Sequence, residues 1–233
     1  MFTFSPRSSK GRSIVVAALA TAALFVGACG AGDDAGDAAS PAPAGSAASE
    51  PRAPESGHEP IAASMPTEIS LPGLGIVEPV VQELCPMTDR GLDPLHMMDV
   101  CFYTADDKPY VLPSTDQEDV AVMAGHAGAR VPGVFDDVFD SVAGEFAVKP
   151  GDELRVRTVE SGDKWLVYEA TDFHSPTKEE LAVDDEVWGE EPTPGRLLLL
   201  TCLQPADFDQ PALHNAVVGY QFVGVADDDG VRA

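Results

Sequence analysis

The chain has 233 residues, with 39 acidic against 14 basic side chains and a formal net charge of −25. So acidic a surface repels a phosphate backbone, and nucleic-acid binding is excluded. His58, His96, His126, His174 and His214 are scattered, with no His-x-x-x-His and no Cys-x-x-Cys, so neither a metal centre nor a cofactor is expected.

Residues 1–28 read as an export signal: Arg7, Lys10 and Arg12 precede an apolar run over 13–26. That run is shorter than the ~20 residues of a comfortable membrane-spanning helix. It ends in Val26-Gly27-Ala28-Cys29-Gly30, which resembles the lipobox of bacterial lipoproteins. The resemblance implies cleavage after Ala28 and lipidation of Cys29. Two or more acyl chains at about 0.8 kcal/mol per buried methylene would hold the chain on the outer face of the cell membrane. The alternative is ordinary cleavage after a small residue and a free secreted protein. Without the signal the chain keeps eleven basic and thirty-nine acidic residues, about −28.

Residues 29–66 are Ala/Pro/Gly/Ser/Asp/Glu-rich with few large apolar residues and read as a flexible tether. Residues 67–226 are long enough for one core, and 227–233 form an acidic tail. Strands are predicted over 67–71 and 76–84 around the Pro72-Gly73 turn, with Pro79 marking an edge or bulge. Another follows over 120–124, and a hairpin over 153–159 and 165–170 turns at Ser161-Gly162-Asp163. Residues 197–201 and 216–225 complete seven or eight strands. Residues 134–139 carry helical spacing, and Pro150-Gly151-Asp152 turns the chain into the next strand. The expected fold is mostly β, a closed or nearly closed barrel with one or two short helices.

Two apolar runs end in chemistry. Asp119-Val-Ala-Val-Met-Ala-Gly-His126 and Arg196-Leu-Leu-Leu-Leu-Thr-Cys202 each put a reactive side chain at a strand tip, where it can leave the core. A thiolate is a nucleophile and a nearby histidine supplies charge and a proton. The plainer reading is a buried Cys202 and a satisfied loop histidine. In an exported chain Cys85 and Cys101 are candidates for a disulfide stabilising the fold by roughly 3 kcal/mol, which leaves Cys202 as the odd thiol. The acidic clusters Asp184-Asp185-Glu186 and Asp227-Asp228-Asp229 read as solvated surface before weak calcium sites.

From about residue 66 to 225 the chain resembles the sortases, most closely those of classes E and F. Residues 69–81 look like the family's opening strands, 120–128 like the strand and loop of its catalytic histidine, here His126. Val134-Phe135 with Lys149-Pro150-Gly151-Asp152 is similar to its phenylalanine and Gly-Asp turn. Leu199-Leu200-Thr201-Cys202 matches the second half of its Thr-Cys motif, with Leu198 where the first threonine is common. The resemblance implies a cysteine transpeptidase at the cell surface. Cys202 would cleave a sorting-signal peptide such as Leu-Pro-x-Thr-Gly through a thioester. His126 would protonate the departing amine, and a second amine from the cell wall or another protein would take the acyl group.

The family's arginine, near the start of the strand after the cysteine, is missing: the only arginine beyond Cys202 is Arg232. Alignment puts Leu213 or His214 at its position, depending on a one-residue register. A histidine there would donate a hydrogen bond without a permanent charge. Arg130 lies four residues after His126 as a second candidate, while Arg196 is about 20 Å from Cys202 along one strand. The competing expectation is therefore a sortase fold with impaired turnover that binds peptides or regulates. An L,D-transpeptidase requires a Ser-x-Gly-Cys segment, which Leu-Leu-Thr-Cys does not supply.

Overall fold

Four consecutive leucines cannot alternate, so a strand carrying them needs apolar cover on both faces. The computed structural model, which describes residues 59–89, 91–104 and 110–228, meets that need with a barrel and an outer layer. The export signal, Cys29, the tether up to residue 58 and the last five residues of the tail lie outside the described residues.

Eight strands form one sheet: β1 Pro66–Leu71, β2 Ile76–Pro79, β3 Val100–Tyr103, β4 Ala121–Gly125, β5 Glu153–Thr158, β6 Trp165–His174, β7 Arg196–Leu203 and β8 His214–Ala226. Their order is β2-β1-β5-β6-β8-β7-β4-β3. All neighbours are antiparallel except β4 and β7, which run parallel. Across the open edge, Val80 bridges Val100, the Val81 N–H donates to the Val100 carbonyl at 2.9 Å, and the Cys85 N–H to the Phe102 carbonyl at 2.8 Å. The sheet is thus a nearly closed, eight-stranded barrel, the sortase fold.

Side chains on β7 sort by parity. Leu197 and Leu199 join Ala121, Met123, Tyr168 and Val218 inside the barrel. Leu198 and Leu200 join Val122, Ala124 and Val217 on the outside, under Leu181 and Val187. Those last two come from short helices α1 Lys178–Leu181 and α2 Asp185–Trp188. Thr177 and Glu180 form a capping box at α1, and the Asp184 carboxylate caps α2 by accepting the Glu186 N–H. Cys85 and Cys101 belong to the same outer layer and are joined as a disulfide with Cα atoms 5.2 Å apart.

Four sequence readings need correction. β3 lay in a stretch with no predicted element. The tether ends earlier than residue 66, because Ile61 is buried in the core and its N–H donates to Thr115 Oγ1 at 2.9 Å. Within 134–139 only a 3₁₀ turn, Asp136–Val138, forms, because Phe139 is already extended. The predicted strand 76–84 stops at Pro79, whose ring cannot donate to a ladder.

Candidate functional site

β4 and β7 pair in parallel from Leu197 with Ala121 to Leu200 with Ala124, a constant offset of 76 residues. Counted two residues further, the same offset sets His126, the residue after the end of β4, level with Cys202 near the end of β7. Neighbouring strands lie about 4.8 Å apart, and paired residues share a face. By parity both follow Ala124 and Leu200 onto the outer face, just beyond the edge of the apolar layer. Cys202 is the free cysteine of the described residues and is partly exposed. His126 is 21% exposed.

The turn after His126 is held from three sides. The His126 carbonyl accepts the Phe135 N–H at 2.9 Å. Asp136 Oδ1 and Oδ2 accept the N–H groups of Gly128 (2.6 Å) and Gly133 (3.0 Å). Phe135 and Val134 pack so closely on Gly125 that a Cβ there would lie 2.5 Å from the Phe135 ring. A Cβ on Gly128 would lie 1.6 Å from the Val131 carbonyl oxygen. The residues Val134 and Phe135 therefore set the backbone that aims His126.

A second constraint comes from the segment bracketed by Cys85 and Cys101. His126 Nε2 lies 2.8 Å from the Pro94 carbonyl, and since a carbonyl only accepts, Nε2 carries the proton. Asp93 stands 3.9 Å from the same nitrogen. Neither Asp93 nor Pro94 was singled out in the sequence. Thirty-two residues separate Pro94 from His126, with no pattern to link them.

The loops beyond the two strands are tied together. Gln204 Nε2 donates to the Ala127 carbonyl at 2.6 Å, and Arg130 pairs with Asp209. Arg130 is thus already engaged at an exposed rim, its side chain 66% accessible. Arg196, as expected, is far down β7. It forms two bonds to Asp172, at 2.9 and 2.7 Å, and His174 Nε2 donates to the same carboxylate at 2.7 Å. Burial by itself would raise the Asp172 carboxyl. The hydrogen bonds from Arg196, Thr171 and His174 outweigh it and hold the group below the usual carboxylate range. Gly219 makes the space, since a Cβ there would meet Asp172 at 2.5 Å.

The β7–β8 register decides what stands opposite the cysteine. Cys202 faces Asn215, while His214 pairs with Leu203. His214 Nδ1 instead lies 3.0 Å from the Ser175 carbonyl, and Leu213 is 62% exposed, its carbonyl accepting the Lys178 N–H at 3.0 Å. Neither Leu213 nor His214, the two residues that the alignment offered for the arginine position, is therefore the direct cross-strand partner of Cys202. The loop after Cys202 has no apolar pattern to count from. Among the described residues no group of three or more His, Cys, Asp or Glu side chains is arranged to hold a metal.

Comparison with known proteins gives this arrangement its context. Residues 69–221 match the family described as the sortase domain. No curated protein matches the sequence. Among solved structures, sortase C-3 from Streptococcus pneumoniae is 22% identical over 72% of this chain and 66% of that one, at a TM-score of 0.47. Sortase A from Corynebacterium diphtheriae is 18% identical over 73% and 65%, at 0.48. Sortase E1 from Streptomyces coelicolor, solved with a tripeptide in its active site, is 17% identical over 73% and 94%, at 0.43. The chain thus spans just under two thirds of the first two proteins' length. The family match covers well over half of the sequence, from the second half of β1 to the middle of β8. The chain belongs to the sortase family.

Proposed function

We propose that the chain is a cysteine transpeptidase working at the outer face of the cell membrane, held there by lipid on Cys29. Cys202 Sγ attacks the carbonyl carbon of a threonine-like residue in a sorting-signal peptide. As the tetrahedral adduct collapses, the C–N bond breaks, the amine leaves with a proton from the His126 imidazolium, and a thioester remains. A second amine, from the cell wall or another protein, attacks the thioester and returns the thiol. The observation that carries this reading is the parallel β4–β7 register, whose extension pairs Cys202 with His126 on one face. Assignment to class E or F rests on the motif residues alone.

A second reading, a peptide-binding or regulatory sortase fold with impaired turnover, draws on a different observation. All four arginines among the described residues are paired with carboxylates: Arg130 with Asp209, Arg155 with Glu153, Arg157 with Glu68 and Arg196 with Asp172. Iodoacetamide treatment of the folded protein followed by mass mapping tests the nucleophile. Cys202 is expected to be alkylated first, and a Cys202 that reacts only after unfolding refutes its role. Transpeptidation across a sorting-peptide library, with Cys202→Ala as control, then separates the two readings.

A further inference from the structure

We propose that Asn215 is the side chain that holds the substrate carbonyl beside Cys202, taking the place of the missing arginine. The inference rests on the transpeptidase reading and adds a residue to it.

The position follows from backbone geometry. Asn215 and Cys202 are direct cross-strand partners. On β8 the outward-facing parity is fixed by Val217, which pairs with Leu200 and lies in the outer apolar layer. Asn215, two residues earlier, faces the same way as Cys202. Its N–H points away from β7, donating to the Pro176 carbonyl at 3.0 Å. The Cys202–Asn215 pair is therefore of the non-hydrogen-bonded kind, in which Cα atoms approach to about 4.5 Å and side chains lie closest.

The chemistry fits that place. A carboxamide offers two N–H donors with no charge, and among the described residues no group engages that of Asn215. When Cys202 Sγ bonds to a carbonyl carbon, the π pair moves onto oxygen as a developing oxyanion. A donor fixed one cross-strand step away meets that charge without reorganisation. His214 is directed elsewhere: it pairs with Leu203, and its Nδ1 is committed to the Ser175 carbonyl.

A peptide aldehyde tests this without requiring turnover. With Leu-Pro-Ala-threonine aldehyde, Sγ bonds to the aldehyde carbon and the resulting oxyanion takes a proton from the imidazolium, giving a hemithioacetal. Iodoacetamide alkylates the same sulfur by displacing iodide and forms no oxyanion. In the full chain, Asn215→Ala and the isosteric Asn215→Asp are expected to weaken aldehyde capture about 10²-fold. Their iodoacetamide rate should stay within a factor of two or three of wild type, and Asn215→Arg should retain capture. Unchanged capture in both Asn215→Ala and Asn215→Asp overturns the proposal while leaving the nucleophile in place. A loss confined to His214→Ala overturns it in favour of the histidine. If Cys202→Ala binds the aldehyde as wild type does, the transpeptidase reading fails and the proposal with it.

Discussion

Reduction of the Cys85–Cys101 disulfide is expected to lower the melting temperature by about 6–12 °C. The bridge closes a separation of 16 residues. The chain-entropy relation assigns a loop of that size about 3 kcal/mol. For a domain of about 160 residues each kcal/mol is worth roughly 2–4 °C in Tm. Both cysteines are buried, so Cys85→Ala/Cys101→Ala would add lost packing, and reduction of the wild-type protein isolates the crosslink. The bracketed segment also carries Pro94, whose carbonyl accepts from His126 Nε2, so loosening it reaches the site. The assay is scanning calorimetry with and without a phosphine reductant, run after thiol titration has shown two additional thiols. Histidine ¹⁵N NMR on the same samples follows His126. A Tm shift below about 2 °C after verified reduction would refute the entropic argument, because even the smaller per-kcal conversion predicts more. In that case the Val81 and Cys85 N–H bonds to β3 hold the segment by themselves.

Asp172→Asn is expected to cost about 2 kcal/mol at neutral pH by weakening its charge-assisted bonds to Arg196. The folded carboxyl is held below its ordinary value, so this stability is present above the unfolded value of about 3.9 and is lost as pH falls through the lower folded value. The melting curves of wild type and Asp172→Asn should therefore stand apart at pH 7 and begin to approach each other only as pH falls below about 4. Gly125→Ala places a Cβ against Phe135 and Val134, and should cost about 1–3 kcal/mol in denaturant titration. It should also slow peptide transfer, because the same contacts aim His126. Mass spectrometry of the mature N-terminus should find a lipid-modified Cys29. An unmodified terminus beyond that residue refutes the anchor.

Much of the fold was legible because burial leaves a mark on composition. The runs 120–124 and 197–201 are apolar at every step, since β4 and β7 are covered by the barrel interior on one side and by α1, α2 and the disulfide segment on the other. The same runs stop where cover stops, at His126 and Cys202, which is why both candidate residues stand out in the sequence. β3 escaped notice because Val100–Tyr103 is only four residues long and lacks alternation, too short a run to stand out.

The sequence by itself determined the strand-forming runs and the two residues that end them, since those follow from local burial. Only the tertiary structure decided which residue faces Cys202. The β7–β8 register is set by pairing on the far side of β8, where Asn215 and Leu213 bond to Pro176 and Lys178, a segment nearly forty residues earlier in the chain. Ten residues, two of them prolines and without a periodic apolar pattern, separate β7 from β8, and a loop of that kind fixes no count. The Pro94 carbonyl on His126 and the Asp172 carboxylate on Arg196 have the same origin. A polar contact between distant segments obeys no sequence period, so it becomes visible only when the barrel has closed around it.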